Sequence, residues 1–341
     1  MKYLLRASIF VALLVWIGVV VGTPTPRDYG TIPSTISSTK NTLPASKAIL
    51  LFGGDVMLSR GIGNLSLKFN DFTYPFQKIA PILKNADLRV VNLESPISSL
   101  GENIGSIYSF RADPRSVSGL SFAGINVVTL ANNHSGDYGS LALSDSMEIL
   151  SKENIGVVGA GVDETRAHTP LFYEINGIKI AFLGYTPLAP FWLTKTNASP
   201  AVANLDEEKV KEDISLARSQ GAEVVVVLIH FGDEYDTKQS MTQEILARDL
   251  IDAGATIIIG HHPHVVQDVE NYHGGLIAYS LGNFVFDQNF SEDTRRGLLL
   301  KVTVSKKEIL DVEKIPIRFS GTFQPYADTD TIISTTNPQI N

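Results

Sequence analysis

The chain alternates short runs of Val, Ile and Leu with stretches whose apolar positions recur at helical spacing. The runs at 48–52, 88–92, 127–130, 224–230, 256–259 and 276–281 are apolar at nearly every position, as strands must be when their sheet is covered on both faces. Between them, 206–220 places Val210, Ile214 and Ala217 on one helical face and stops at Gly221; 243–253 repeats this with Leu246, Leu250 and Gly254. A glycine just past the last apolar position supplies the left-handed residue on which many helices end. Strands alternating with helices through short loops predict an α/β domain.

Both ends depart from this pattern. Lys2 and Arg6 lead into an uncharged apolar run over 7–21. That is the layout of a secretory leader, so 1–22 reads as a signal peptide or membrane anchor. Residues 23–46 are rich in Ser, Thr and Pro and read as a flexible linker. Residues 321–341 read as a polar tail, which leaves 47–320 as one folded block.

Composition removes several classes of function. With 28 basic and 36 acidic side chains, the net charge of −8 argues against a nucleic-acid binder that relies on broad cationic attraction. There is no cysteine, which excludes disulfides, thiol nucleophiles and thiolate metal sites. Any metal must be held by imidazole, carboxylate or amide groups.

Candidate chemistry collects where strands end. In chain order these places carry Gly54-Asp55-Val56-Met57, Asn92-Leu93-Glu94, Asn132-Asn133-His134, His230-Phe231-Gly232, Gly260-His261-His262-Pro263-His264 and Gly282-Asn283-Phe284, which include five of the seven histidines. Ligands of open α/β sheets bind beyond the carboxyl ends of the strands, so these six loops are expected to converge. Asp55, Glu94, Asn133, His230, His262 and His264 mix carboxylate, amide and imidazole donors. That mixture suits zinc, manganese or iron better than calcium or magnesium, and two ions about 3.5 to 4 Å apart are compatible with it. In an extended segment the His262/His264 spacing turns both rings the same way. Asp233, Glu234 and Asp236 offer acid/base or orienting groups, Arg60 and Arg111 offer planar grips for an anionic substrate, and Asn283 can complete the site. Plain structural readings stand beside these: a turn or cap for Asp55, a solvated turn charge for Glu94, a satisfied core histidine for His230, and a surface loop for His262 and His264.

Taken together, GGDVMLSRG, VVNLESPIS, FRADP, LANNHSGDYG, IHFGDEYD, DAGATIIIGHHPHVVQ and YSLGNFVFD, in this order over about 48–290, resemble the CapA-type family of capsule, or poly-γ-glutamate, biosynthesis proteins within the calcineurin-like metallophosphatase superfamily. The resemblance implies a four-layer α/β/β/α sandwich with a dinuclear metal site at the strand ends. It makes Asp55, Glu94, Asn133, His230, His262 and His264 ligands and His134 the catalytic imidazole. It assigns no ligand role to His261, and it puts Met57 where that superfamily commonly has a histidine. Arg60, Arg111, Glu234 and Asn283 are the expected substrate-binding side chains.

Three functions are compatible with this. The first is an extracytoplasmic hydrolase of a phosphoester or γ-glutamyl-type bond with two divalent ions of manganese, iron or zinc. The second is a non-catalytic accessory component that binds or exports the polyanionic polymer. The third is a scaffold with a vestigial site. The expected partners are the membrane, through the N-terminal segment, other capsule-synthesis membrane proteins and an anionic polymer, with no nucleic acid.

Overall fold

The apolar runs become strands of two large sheets. The computed structural model describes residues 46–104, 107–195, 197–328 and the backbone of 333–336. The leader expected over 1–22, and all but the last residue of the linker expected over 23–46, lie outside them. In the first sheet the order is Pro325–Ala327, Ile309–Phe319, Arg296–Val304, Ala48–Val56, Leu88–Leu93, Val127–Thr129 and Gly156–Val158, with Asn283–Val285 added to Ala48–Val56 and Ile333–Thr336 added to Ile309–Phe319. The second sheet runs Val269–Tyr272, Gly275–Ala278, Ile257–His261, Val224–His230, Ile178–Tyr185 and Leu171–Ile175.

Because side chains alternate across a strand, a run that is apolar throughout feeds two interfaces. Leu50, Phe52, Val90 and Val127 of the first sheet meet Phe182, Val226, Leu228, Ile257 and Ile259 of the second in one buried layer. Their neighbours Leu51, Val91 and Val128 face the other way, onto Leu120 and Leu143 of the helices Val117–Ala123 and Gly139–Lys152. Val225, Val227 and Ile258 likewise pack on Val210, Ile214 and Leu250 of the helices Glu207–Ser219 and Met241–Asp252. The result is the expected α/β/β/α sandwich.

Local chemistry sets where these helices begin. The Asp206 carboxylate accepts from the Lys209 N–H at 3.0 Å. Ser240 and Gln243 form a reciprocal capping box, which starts the second helix at Met241, two residues before the expected start at 243. The segment after Gly321, polar enough to read as a tail, instead adds Pro325–Ala327 and Ile333–Thr336 as short strands against Ile309–Phe319. Edge pairing is made by main-chain hydrogen bonds and needs no apolar run.

The same alternation aims the strand ends. Val90 faces the second sheet, so Asn92 and Glu94 follow it on that side; Val226 and Leu228 carry His230 into the gap from across it, and Ile257 and Ile259 carry His261. Asp55 is the exception. Phe52 faces the gap, and strict alternation would send Asp55 toward the helices. An irregularity in pairing between Phe52 and Asp55 shifts the register and brings the carboxylate back. A Cβ on Gly54 would stand 1.8 Å from the Gly282 carbonyl oxygen, so only glycine lets the chain pass there.

Candidate metal centre

At the carboxyl ends of the strands, between the sheets, Asp55, Glu94 and His264 present ligand atoms that all lie within 4.8 Å of one another. The Asp55 Oδ2 is 3.2 Å from His264 Nδ1, and His264 Nε2 is 3.9 Å from Glu94 Oε2. On the other side of Glu94, Oε1 lies 3.8 Å from His230 Nδ1, and His230 Nε2 is 2.9 Å from Asn133 Oδ1. The His262 ring stands 4.7 Å from that of His230. The structure therefore brings Asp55, Glu94, Asn133, His230, His262 and His264 to one place.

The loop that carries His262 and His264 is not extended. Both residues have positive φ, 99° and 58°, on either side of Pro263, and their rings are 6.2 Å apart and inclined at 52°. Histidine enters the left-handed region rarely, and such strain is retained where the surrounding structure enforces it. Here the His262 N–H donates to Asp55 Oδ2 at 3.3 Å, which ties the loop to the opposite sheet.

Burial gives these groups unusual electrostatics. Burial raises the Asp55 carboxyl, but contacts with His261 and His264 outweigh it and hold the group well below the ordinary carboxylate range. Burial, reinforced by the Asp55 charge, pushes Glu94 well above that range. Burial and then its histidine neighbours hold His230 well below its ordinary value and bring His262 down to about 4. Neutral imidazole is the form that binds metal. Glu94 Oε2, His262 Nδ1 and both ring nitrogens of His261 are buried with no hydrogen-bond partner. Orphaned oxygen and nitrogen donors beside two carboxylates fit a divalent cation, and the group can hold one.

Asn92 and Asn132 brace this set, and sequence reading assigned a role to neither. The Asn92 amide donates to Asp55 Oδ1 at 2.8 Å and faces Glu94 Oε1 and His230 Nδ1, each at 3.1 Å. Asn132 donates to Asn92 Oδ1 at 3.1 Å and to the Leu93 carbonyl at 2.9 Å. Parity along Leu88–Leu93 was the available signal for Asn92, since a polar residue on the face of Val90 needs a partner there.

A cleft of about 380 Å³ opens over the centre, lined by Arg60, Asn133, His134, Glu234, Tyr235 and His264 among others. His134 Nδ1 donates to Asp137 Oδ2 at 2.8 Å, and its ring lies 4.1 Å from that of Phe110. The Phe110 N–H donates to the same Asp137 oxygen at 2.7 Å. Arg60 is in the cleft, but its guanidinium is 2.9 Å from Asp287 Oδ1. Two of the expected substrate-binding side chains stand elsewhere. Arg111 donates to the Leu100 and Gly101 carbonyls, each at 2.9 Å, and lies over the Tyr138 ring, because those loop carbonyls have no strand partner. Asn283 is 1% exposed and holds His264 Nδ1 at 3.0 Å from behind, so it orients an imidazole and does not face the cleft.

The model of the family described as bacterial capsule synthesis protein PGA_cap matches residues 49–288. Capsule biosynthesis protein CapA of Bacillus anthracis is 34% identical over 264 residues, a match that spans 74% of this chain and 63% of that protein, less than two thirds of its length. PGA biosynthesis protein CapA of Bacillus subtilis is 35% identical over 269 residues, spanning 78% of this chain and 70% of that protein. Among solved structures, the NAD nucleotidase of Haemophilus influenzae overlays with a TM-score of 0.46 at 13% identity, covering 83% of this chain and 54% of that one.

Proposed function

This chain belongs to the bacterial capsule synthesis protein family, and we propose that it is an extracytoplasmic hydrolase of capsule or poly-γ-glutamate assembly, acting on a phosphoester or γ-glutamyl-type bond. The observation that supports this most is the partner-poor set of buried donors around Asp55 and Glu94. Two divalent ions are proposed. Asp55, Glu94 and His264 would hold one, and Asn133, His230 and His262 would hold the other. When bound, such ions supply Lewis acidity toward a phosphoryl or carbonyl oxygen and make water more acidic.

The protein's own groups do the remaining work. Asp137 accepts from His134 Nδ1 and fixes the ring's tautomer and direction, which leaves Nε2 as the atom that can hold a proton for a departing oxygen or nitrogen. Phe110 and the cleft walls limit water around that ring. The charge of Arg60 is taken by Asp287, and Glu234 adds an acidic group. Recognition of an anionic polymer in this cleft therefore depends on the metal charges more than on arginine. The proposed partners are that polymer, other capsule-synthesis membrane proteins and, through residues 1–22, the membrane. Among the described residues no helix is long and apolar enough to cross a bilayer.

The test is metal analysis of the purified protein, then assay against phosphoesters and γ-glutamyl peptides. His134→Asn is expected to keep its metal and lose about 10²- to 10⁴-fold in turnover. If the wild type holds metal and hydrolyses nothing in the panel, the accessory, polymer-binding function replaces this one.

A further inference from the structure

We propose that His261 is a ligand of the same centre, on its Asp55 side, so that four imidazoles and not three surround the two carboxylates. The proposal rests on reading the site as a metal centre. Strand alternation puts His261 in the gap behind Ile257 and Ile259, and its Cα partner across the parallel ladder is His230. The residue is 1% exposed, and its Nδ1 is 3.3 Å from Asp55 Oδ1 without hydrogen-bond alignment. Its Nε2 also has no partner. A buried polar atom left unmatched destabilises the fold, and folded proteins rarely retain two on one ring without a use for them.

Asp55 Oδ1 is already held by Asn92 at 2.8 Å, and the His261 Nδ1, at 3.3 Å, is not aligned to add a second hydrogen bond to it. Nor does the strand of Asp55 supply a competing donor. The Met57 thioether accepts from the Ser59 N–H at 3.2 Å and hydroxyl at 3.0 Å, so it is turned into its own loop. The Asp55 side of the centre thus has a carboxylate, His264 and one further imidazole with both nitrogens free of hydrogen bonds.

Cobalt(II) titration of the full chain, read by its visible absorption, by metal stoichiometry and by the number of coordinated imidazoles from X-ray absorption, tests this with His261→Gln and His261→Ala. The expected result is one imidazole fewer and binding weakened by more than the roughly 10- to 100-fold typical of losing an outer partner, with the metal-free variant melting near the wild type. An unchanged imidazole count and affinity in a folded variant overturns the proposal. So does failure of both variants to fold, which makes His261 a structural residue. A wild type that takes up neither cobalt, manganese nor zinc defeats the metal-centre reading itself. That outcome is distinct from a loaded wild type with an indifferent His261.

Discussion

Two of the buried histidine–carboxylate clusters among the described residues are built on opposite principles. In the first, between the helix Glu207–Ser219 and the second sheet, Asp213 Oδ2 accepts from His168 Nδ1 at 2.7 Å and from the Tyr185 hydroxyl at 2.9 Å, while Lys209 Nζ stands 3.3 Å from Oδ1. Each oxygen of that carboxylate is engaged. In the second, at the strand ends, Glu94 Oε2, His262 Nδ1 and both nitrogens of His261 are buried without a hydrogen bond. A satisfied buried network pins elements together; an unsatisfied one carries a standing cost that a ligand removes. The same residue types therefore serve structure in one place and chemistry in the other.

The largest effect expected from breaking this contrast is at Asp213. Asp213→Ala leaves His168 and Tyr185 buried without their acceptor and should cost about 3–5 kcal/mol of folding stability, with metal content per folded molecule unchanged. Denaturant unfolding with metal analysis checks this, and a metal-deficient but stable variant would erase the distinction.

The next effect is the pH dependence of the metal-free protein. His262 is held at about 4 when folded against about 6.5 when unfolded, and His230 is lowered as well. The unfolded chain therefore binds more protons between these values, and stability falls as the pH drops from about 6.5 toward 4, by roughly 3 kcal/mol for His262 alone. Glu94, raised by burial, acts in the other direction above its unfolded value and blunts the slope. Melting temperatures of chelated protein across this range should decline on acidification and flatten once metal is restored; a flat metal-free profile would contradict the assignment.

The smallest effect is at Glu94 itself. Glu94→Gln removes the cost of burying an ionisable carboxyl beside Asp55 and keeps an acceptor for Asn92, so the metal-free variant should be about 1 kcal/mol more stable than wild type at neutral pH while binding metal poorly. Destabilisation on the scale of Asp213→Ala would mean that Glu94 belongs with the satisfied cluster.

Much of the fold could be read before any coordinates. The runs at 88–92 and 224–230 became strands within a residue of their expected ends, because a strand buried on both faces leaves little room for polar residues. The edge strands Pro325–Ala327 and Ile333–Thr336 could not be read, since they form by main-chain pairing with Ile309–Phe319 without an apolar run of their own. In the site, His230, His262 and His264 were visible as a concentration of imidazoles after strands, but His261 was indistinguishable from its neighbours in a run of three histidines interrupted by Pro263. Arg111 shows the converse failure, because a charged side chain in a promising motif can as well be spent on loop carbonyls.

The sequence by itself determined the two-sided burial of the sheets, the order of the strand-end motifs and the oxygen and nitrogen character of the donors, because periodicity and residue chemistry are local properties. Only the tertiary structure decided which donors meet. Whether Asp55 faces the gap depends on an irregularity in its pairing with the next strand. The orientation of His262 and His264 depends on a strained loop tethered to the opposite sheet. The isolation of the His261 nitrogens depends on what every surrounding element fails to offer them. These are relations between segments as many as 207 residues apart, fixed when the two sheets close on each other.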